Sequence, residues 1–191
     1  MTKRALIVVD IQNDYFAGGR CPLVGIDAAA DNAARAIAAA RDAGDLVVHI
    51  RHEFRTAEAP FFAPGSEGAR IHPKAQSQDS ETVIVKHFPN AFRDTGLKAL
   101  LDKSGIEEVT IVGAMSHMCV DAATRAACDF GYKVTVVHDA CATRDLTFNG
   151  VTVPAAQVHA AFMAALASSY AKMISTADHL AATAVPAARR A

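Results

Sequence analysis

Asp10, Lys86 and Cys119 are the residues of this chain whose types and positions add up to chemistry. A thiolate attacks where a thiol does not, and a carboxylate beside a cysteine takes its proton. An ammonium next to both holds the carboxylate ionised and steadies the charge that develops on the attacked group. Backbone N–H groups in the turn Ala114–Cys119 would add an oxyanion hole, worth about 10²–10³ in rate per donor. Taken singly, each residue has a plainer reading. An aspartate at a strand end forms turns and caps, a lysine there is a solvated end, and an isolated cysteine packs as a small hydrophobe. Their weight comes from sharing one edge of one sheet.

That shared edge follows from the elements. ALIVVD, Ala5 to Asp10, is a short apolar run of the kind that forms a parallel strand buried on both faces. Further strands are expected at Leu46–Ile50, Thr82–Lys86, Glu108–Ala114 and Lys133–Asp139, with a short sixth at Lys172–Thr176. Helices are expected at Asp27–Ala43, capped by Asp27 and stopped by Gly44, and at Asp94–Lys103, capped by Asp94. Two more run from just after His117 to about Phe130 and from Pro154 to about Tyr170. Asn149-Gly150 between alternating residues marks a hairpin over Leu146–Val153. Strands alternating with helices imply a parallel sheet covered on both faces. In such sheets ligands bind at the carboxyl ends of the strands, where Asp10, Lys86 and Cys119 fall. The helix beginning near Cys119 would also lower its pKa through its unpaired N–H groups.

Two segments are long for loops, 10–26 and 53–81. The second carries Phe54, Phe61 and Phe62, so it reads as a lid or pocket wall. With no linker and no repeat, residues 1–191 read as one domain, with the Ala-rich tail after about 181 a frayed helix or disordered.

Composition narrows the partners. Hydrophobic residues make up 51% of the 191, charged residues 20%, and the formal net charge is −1. No basic block offers an attraction for nucleic acid or an anionic membrane, so a small-molecule substrate is the expectation. The apolar run after Lys3 and Arg4 is too short for a signal peptide, and no later run is long enough to span a membrane. Cys21, Cys119, Cys128 and Cys141 show neither paired nor zinc-type spacing, which points to free thiols in a reducing cytoplasm.

Three stretches carry a resemblance: VVDIQNDYF (Val8–Phe16), VIVKHFPNAF (Val83–Phe92) and VGAMSHMCVDAATRAACDFGYKVTVVHDACAT (Val112–Thr143). In this order and spacing the chain resembles the isochorismatase-like cysteine hydrolases, a superfamily that includes nicotinamidases, carbamoyl-amide hydrolases and ureidoacrylate amidohydrolases. The resemblance spans about Ala5 to Thr176. It implies a three-layer α/β/α fold around a six-stranded parallel sheet, an Asp10–Lys86–Cys119 triad and a homodimer or homotetramer. It also implies a cis peptide at Ala114–Met115 that aims the Met115 amide into the oxyanion hole beside the Cys119 amide.

The chain departs from its relatives after the second strand. Nicotinamidases of this superfamily place an Asp-x-His metal pattern there; this chain reads HIRHEF, His49 to Phe54. His52 stands near the place of the metal aspartate, and His72 is a distant second ligand, so neither metal nor cofactor is expected. His49 is assigned to the sheet surroundings. Isochorismatases proper cleave a vinyl ether without a cysteine nucleophile, whereas Cys119 suits an amide or another acyl group. The reading is hydrolysis of a small amide or related C–N acyl bond through a thioester. Vinyl ether hydrolysis and non-catalytic small-molecule binding on the same fold stay open. Phe16, Phe54, His52, Phe88, Asn90, Phe92 and His117 are taken as substrate-pocket residues, with Arg93 and the ribbon tip at Phe148–Asn149 as further contributors. The side chain of His87 should point away from that of Lys86. Cys128 and Cys141 are expected to be structural, and Cys21 to be exposed.

Overall fold

The computed structural model describes residues 3–184. The chain opens with β1 (Arg4–Val9), followed by α1 (Ile26–Ala43), β2 (Leu46–His52), β3 (Thr82–Lys86) and α2 (Leu97–Lys103). Next come β4 (Glu108–Ala114), α3 (Asp121–Asp129), β5 (Lys133–Ala142) and the ribbon β6 (Leu146–Phe148) with β7 (Val151–Val153). α4 (Ala155–Ala167), β8 (Lys172–Ile174) and α5 (Thr176–Thr183) complete it. Six strands form one parallel sheet in the order β3-β2-β1-β4-β5-β8. The chain leaves β1 for the β2 side and returns to it on the β4 side. The strand order therefore reverses between β1 and β4, the kind of switch point at which open α/β sheets bind ligands beyond the strands' carboxyl ends.

Each face of the sheet buries its own core. On one face α1 turns Ala29, Ala30, Ala33, Ala36, Ile37 and Ala40 onto Leu6, Val8, Val47 and Val112. This is a helical-period stripe of small residues that lets helix and sheet approach closely. On the other face Leu97 and Leu101 of α2, Ala123 and Ala127 of α3, and Met163 and Leu166 of α4 cover Ile7, Val9, Ile50 and Ile111. Helices on both faces make a three-layer α/β/α architecture.

Several expected boundaries move. α1 is capped by Gly25, in the left-handed region at φ 72, and Asp27 falls inside the first turn. The backbone reverses too sharply there for an aspartate cap. α2 begins after Gly96, while Asp94 sits at φ 55 in the preceding turn. β5 runs on to Ala142, because a register irregularity between Ile111 and Gly113 lets its last residues pair with the end of β4. The 53–81 segment is no loose lid: Phe62 is fully buried and joins Tyr15 and Phe61 in the α1-side core. Cys21 is buried rather than exposed. The ribbon forms as expected, turning at Asn149-Gly150. Of the expected frayed tail, residues up to Thr183 are helical, and residues 185–191 lie outside the described residues.

Candidate active site

Asp10 follows β1 in the left-handed region, at φ 49, which is uncommon for a residue with a side chain. Its amide still bonds to the Ile50 carbonyl at 3.0 Å, so the kink is held by the sheet. Space for it depends on Gly113 of β4, where a Cβ would lie 1.9 Å from the Val9 carbonyl oxygen. Lys86 ends β3. The strand alternation leaves Val83 and Val85 exposed on one face and turns Lys86 into the protein, where it is fully buried.

Cys119 stands in a wide π turn, Ser116–Val120, not in the first turn of an α-helix. The Met115 carbonyl accepts hydrogen bonds from the amides of Met118 at 3.0 Å and Val120 at 3.2 Å, passing over the amide of Cys119. The Ala114–Met115 peptide bond at the start of this turn is cis. Ser116 fastens the turn from below, with Oγ 3.2 Å from the Ala142 carbonyl oxygen and 2.8 Å from His159 Nδ1 on α4.

The three side chains meet. Lys86 Nζ lies 2.7 Å from Asp10 Oδ2 and 3.1 Å from Cys119 Sγ. A fourth group joins them: Lys86 also donates to His52 Nδ1, at 3.0 Å. Asp10 Oδ1 is buried with no hydrogen-bond partner among the described residues. Burial and the Asp10 charge raise the pKa of the Cys119 thiol, and Lys86 only partly offsets them. This environment favours the thiol over the thiolate, the opposite direction to the helix-end acidification expected from sequence. Lys86 is kept above the usual lysine range: burial lowers it, but Asp10 and Cys119 together outweigh that. Burial first, then the Lys86 charge, brings the His52 pKa down to about 4, so its ring is neutral at ordinary pH.

The pocket residues divide. Phe54 packs edge-on to His52, with ring centroids 4.7 Å apart. Phe16 stacks on His72 at 3.6 Å. Phe88 lies under the Arg93 guanidinium, 3.7 Å from its centroid, and Asn90 Oδ1 accepts from the Phe92 amide at 2.9 Å, shaping the turn after β3. Phe92 itself belongs to the α2-side core, against Phe130 and Tyr132, so it is a packing residue. His117 bonds through Nδ1 to Thr143 Oγ1 at 2.6 Å. His87 is exposed against the Glu53 carbonyl, and His49 is buried with Nε2 2.9 Å from Glu81.

Two supports escaped the sequence reading. Gln12 is fully buried; its amide nitrogen donates to the carbonyls of His52 and Ala69, and its oxygen accepts from the His52 amide. Asp14 accepts from the amides of Arg20 and Phe62. Gly19 and Gly68 press on it so closely that a Cβ at either would come within about 2.5 Å of Asp14. The signal was present in IQND: polar residues flanked by apolar ones just after a buried strand must find partners.

Ligand atoms of Asp10, His52 and Cys119 lie within 4.8 Å of one another, a spacing that a metal ion could use. All three residues are also partners of Lys86 Nζ. The lysine ammonium is already the cation of this cluster, and a metal would have to displace it, so the residues do not fit a metal centre.

Residues 4–178 match the isochorismatase domain family. The chain is 46% identical over 172 residues to an uncharacterised isochorismatase family protein, YddQ, of Bacillus subtilis, covering 90% of this chain and 96% of that one. It is 30% identical to a maleamate amidohydrolase of Pseudomonas putida, over 74% of this chain and 73% of that protein. A crystal structure of a provisionally assigned isochorismatase hydrolase from Oleispira antarctica superposes with a TM-score of 0.91 at 56% identity, covering 94% of this chain and 97% of the other. By its domain match, its sequence identity and its superposition on a solved relative, the chain belongs to the isochorismatase family of hydrolases.

Proposed function

We propose that this hydrolase cleaves a small amide or related C–N acyl bond, with Cys119 as nucleophile, Asp10 as general base and acid, and Lys86 as electrostatic partner. The observation that carries this reading is the convergence of the buried Asp10 and Cys119 side chains on buried Lys86 Nζ, at 2.7 and 3.1 Å. A buried protonated thiol needs a base, and Asp10 is the carboxylate beside it. Relatives whose names are amidohydrolase and nicotinamidase support a C–N substrate.

The steps follow from these groups. Asp10 takes the Cys119 proton as sulfur bonds to the carbonyl carbon, and the C–O π pair moves onto oxygen. The amides of Met115 and Cys119 receive that oxyanion, and the Lys86 ammonium offsets the new negative charge. When the C–O bond re-forms, the C–N bond breaks and Asp10 gives the proton to the departing amine. Water then attacks the thioester, with its proton passing to Asp10. The C–S bond then breaks with its pair going to sulfur, the acid leaves, and Asp10 returns a proton to Cys119.

The test is release of ammonia or amine from a panel of small amides, carbamoyl compounds, ureido acids and nicotinamide, with isochorismate as the non-amide control. Cys119→Ala should remove all turnover while leaving the circular dichroism and melting curve unchanged. A folded Cys119→Ala enzyme with full activity overturns the reading, and turnover of isochorismate alone would replace it with vinyl ether hydrolysis.

A further inference from the structure

Lys86 carries three N–H protons and can accept nothing while protonated. It has three partners: the ion-paired Asp10 carboxylate, the Cys119 sulfur and the imidazole of His52. The third belongs to neither the nucleophile nor its base. His52 ends β2 beside Lys86, its register partner on β3. Its backbone is held on both sides by Gln12, through the His52 amide at 2.8 Å and its carbonyl at 2.9 Å. The ring is braced by Phe54 and Phe62, at centroid distances of 4.7 and 6.1 Å. Because Lys86 donates to Nδ1, the ring proton sits on Nε2, which is buried with no hydrogen-bond partner among the described residues.

We propose that His52 is a positioning residue of this hydrolase: a neutral acceptor that completes the cradle of Lys86 and holds its ammonium between Asp10 and Cys119. The proposal deepens the hydrolase reading and rests on it. Without the third acceptor the ammonium keeps two partners and is free to turn about its stem. Its distance to the sulfur is then no longer fixed, and thiolate formation loses part of its electrostatic support. The charged and titratable groups facing His52 are Lys86 and His87 from the β3 end, Asp10 from the β1 end and Cys119 from the π turn. Of these, only Lys86 is hydrogen-bonded to its ring.

Alkylation of Cys119 by iodoacetamide, followed across pH on the full chain, reads this geometry without a substrate. Removing one hydrogen bond to a charged group corresponds to about 10- to 100-fold, so His52→Leu should slow alkylation of Cys119 at neutral pH by that factor. The midpoint of its rate–pH curve should rise. His52→Asn places an amide oxygen near the former Nδ1 and should recover the rate to within about threefold, given that it restores the same bond. A folded His52→Leu protein with an unchanged curve overturns the proposal. So does a folded His52→Asn protein as slow as His52→Leu, since packing alone would then explain both. Lys86→Met separates the levels. A shifted curve there with none in His52→Leu removes the role of His52 alone. An unshifted curve in Lys86→Met removes the electrostatic role beneath it.

Discussion

The thiol of Cys119 is not a standing thiolate waiting for substrate. Burial disfavours its charged form more than Lys86 favours it, so the proposed attack would depend on a proton acceptor at the moment of reaction. In the proposed mechanism Asp10 fills that place: it is buried, ion-paired on one oxygen and without a hydrogen bond on the other. Asp10→Asn keeps the shape and removes the proposed base. It should lower kcat/KM by about 10²–10⁴, the usual contribution of a positioned acid–base group. Steady-state kinetics on the best amide of the panel checks this, and a loss below tenfold would assign the base elsewhere. The sequence pointed to this set because reactive residues recur at strand carboxyl ends. It misread the acidity of the cysteine because burial depth is invisible in a motif.

At the scale of elements, the site depends on how closely β1 and β4 approach. Gly113 at φ 122 faces the Val9 carbonyl with no room for a Cβ, one residue before the kink that presents Asp10. Gly113→Ala should therefore separate the two strand ends. Stability should fall by about 3 kcal/mol or more, in the range of severe core strain, with activity lost beyond what the melting curve explains. A urea titration and a kinetic assay on the same preparation test both parts; native stability would refute the close-approach argument. Helix starts were the least legible elements. Asp27 and Asp94 look like caps, but Gly25 and Gly96 take the cap positions. A capping propensity worth about 1 kcal/mol yields to the path the chain must follow between packed layers.

For the whole molecule, one polar clamp ties the edge of the sheet to α1. Glu81, just before β3, receives both Arg41 Nε at 2.7 Å and Arg41 Nη2 at 2.8 Å, with His49 Nε2 at 2.9 Å. Burial alone would raise the Glu81 carboxyl, but bonds from Arg41, the Gln78 amide and His49 hold it down to about 2. A carboxyl depressed on folding stabilises fully above its unfolded pKa, near 4.5, and that share is lost as pH falls through about 2. Glu81→Gln should cost on the order of 1–3 kcal/mol at pH 7, and the gap to the unsubstituted protein should close between pH 4.5 and 2. Urea midpoints across that window check it, and a pH-independent gap would mean the clamp acts by packing instead. Among the described residues no helix is long and apolar enough to cross a membrane.

The sequence by itself determined the layer order and the parallel sheet, and it singled out the three residues on which the proposed function rests. Hydrophobic period, strand length and strand-end chemistry are local signals, and they agree along this chain. Only the tertiary structure decided that Phe92 is core, that Cys119 lies buried in a π turn, and that His52 Nδ1 stands 3.0 Å from Lys86 Nζ. Each of these depends on what a side chain meets from a distant segment. Residue 52 meets residue 86 because two strands pair in parallel, and residue 119 joins them only when β4 has packed beside β1. Burial and hydrogen-bond partners come from that packing, and they set the charge states on which the chemistry runs.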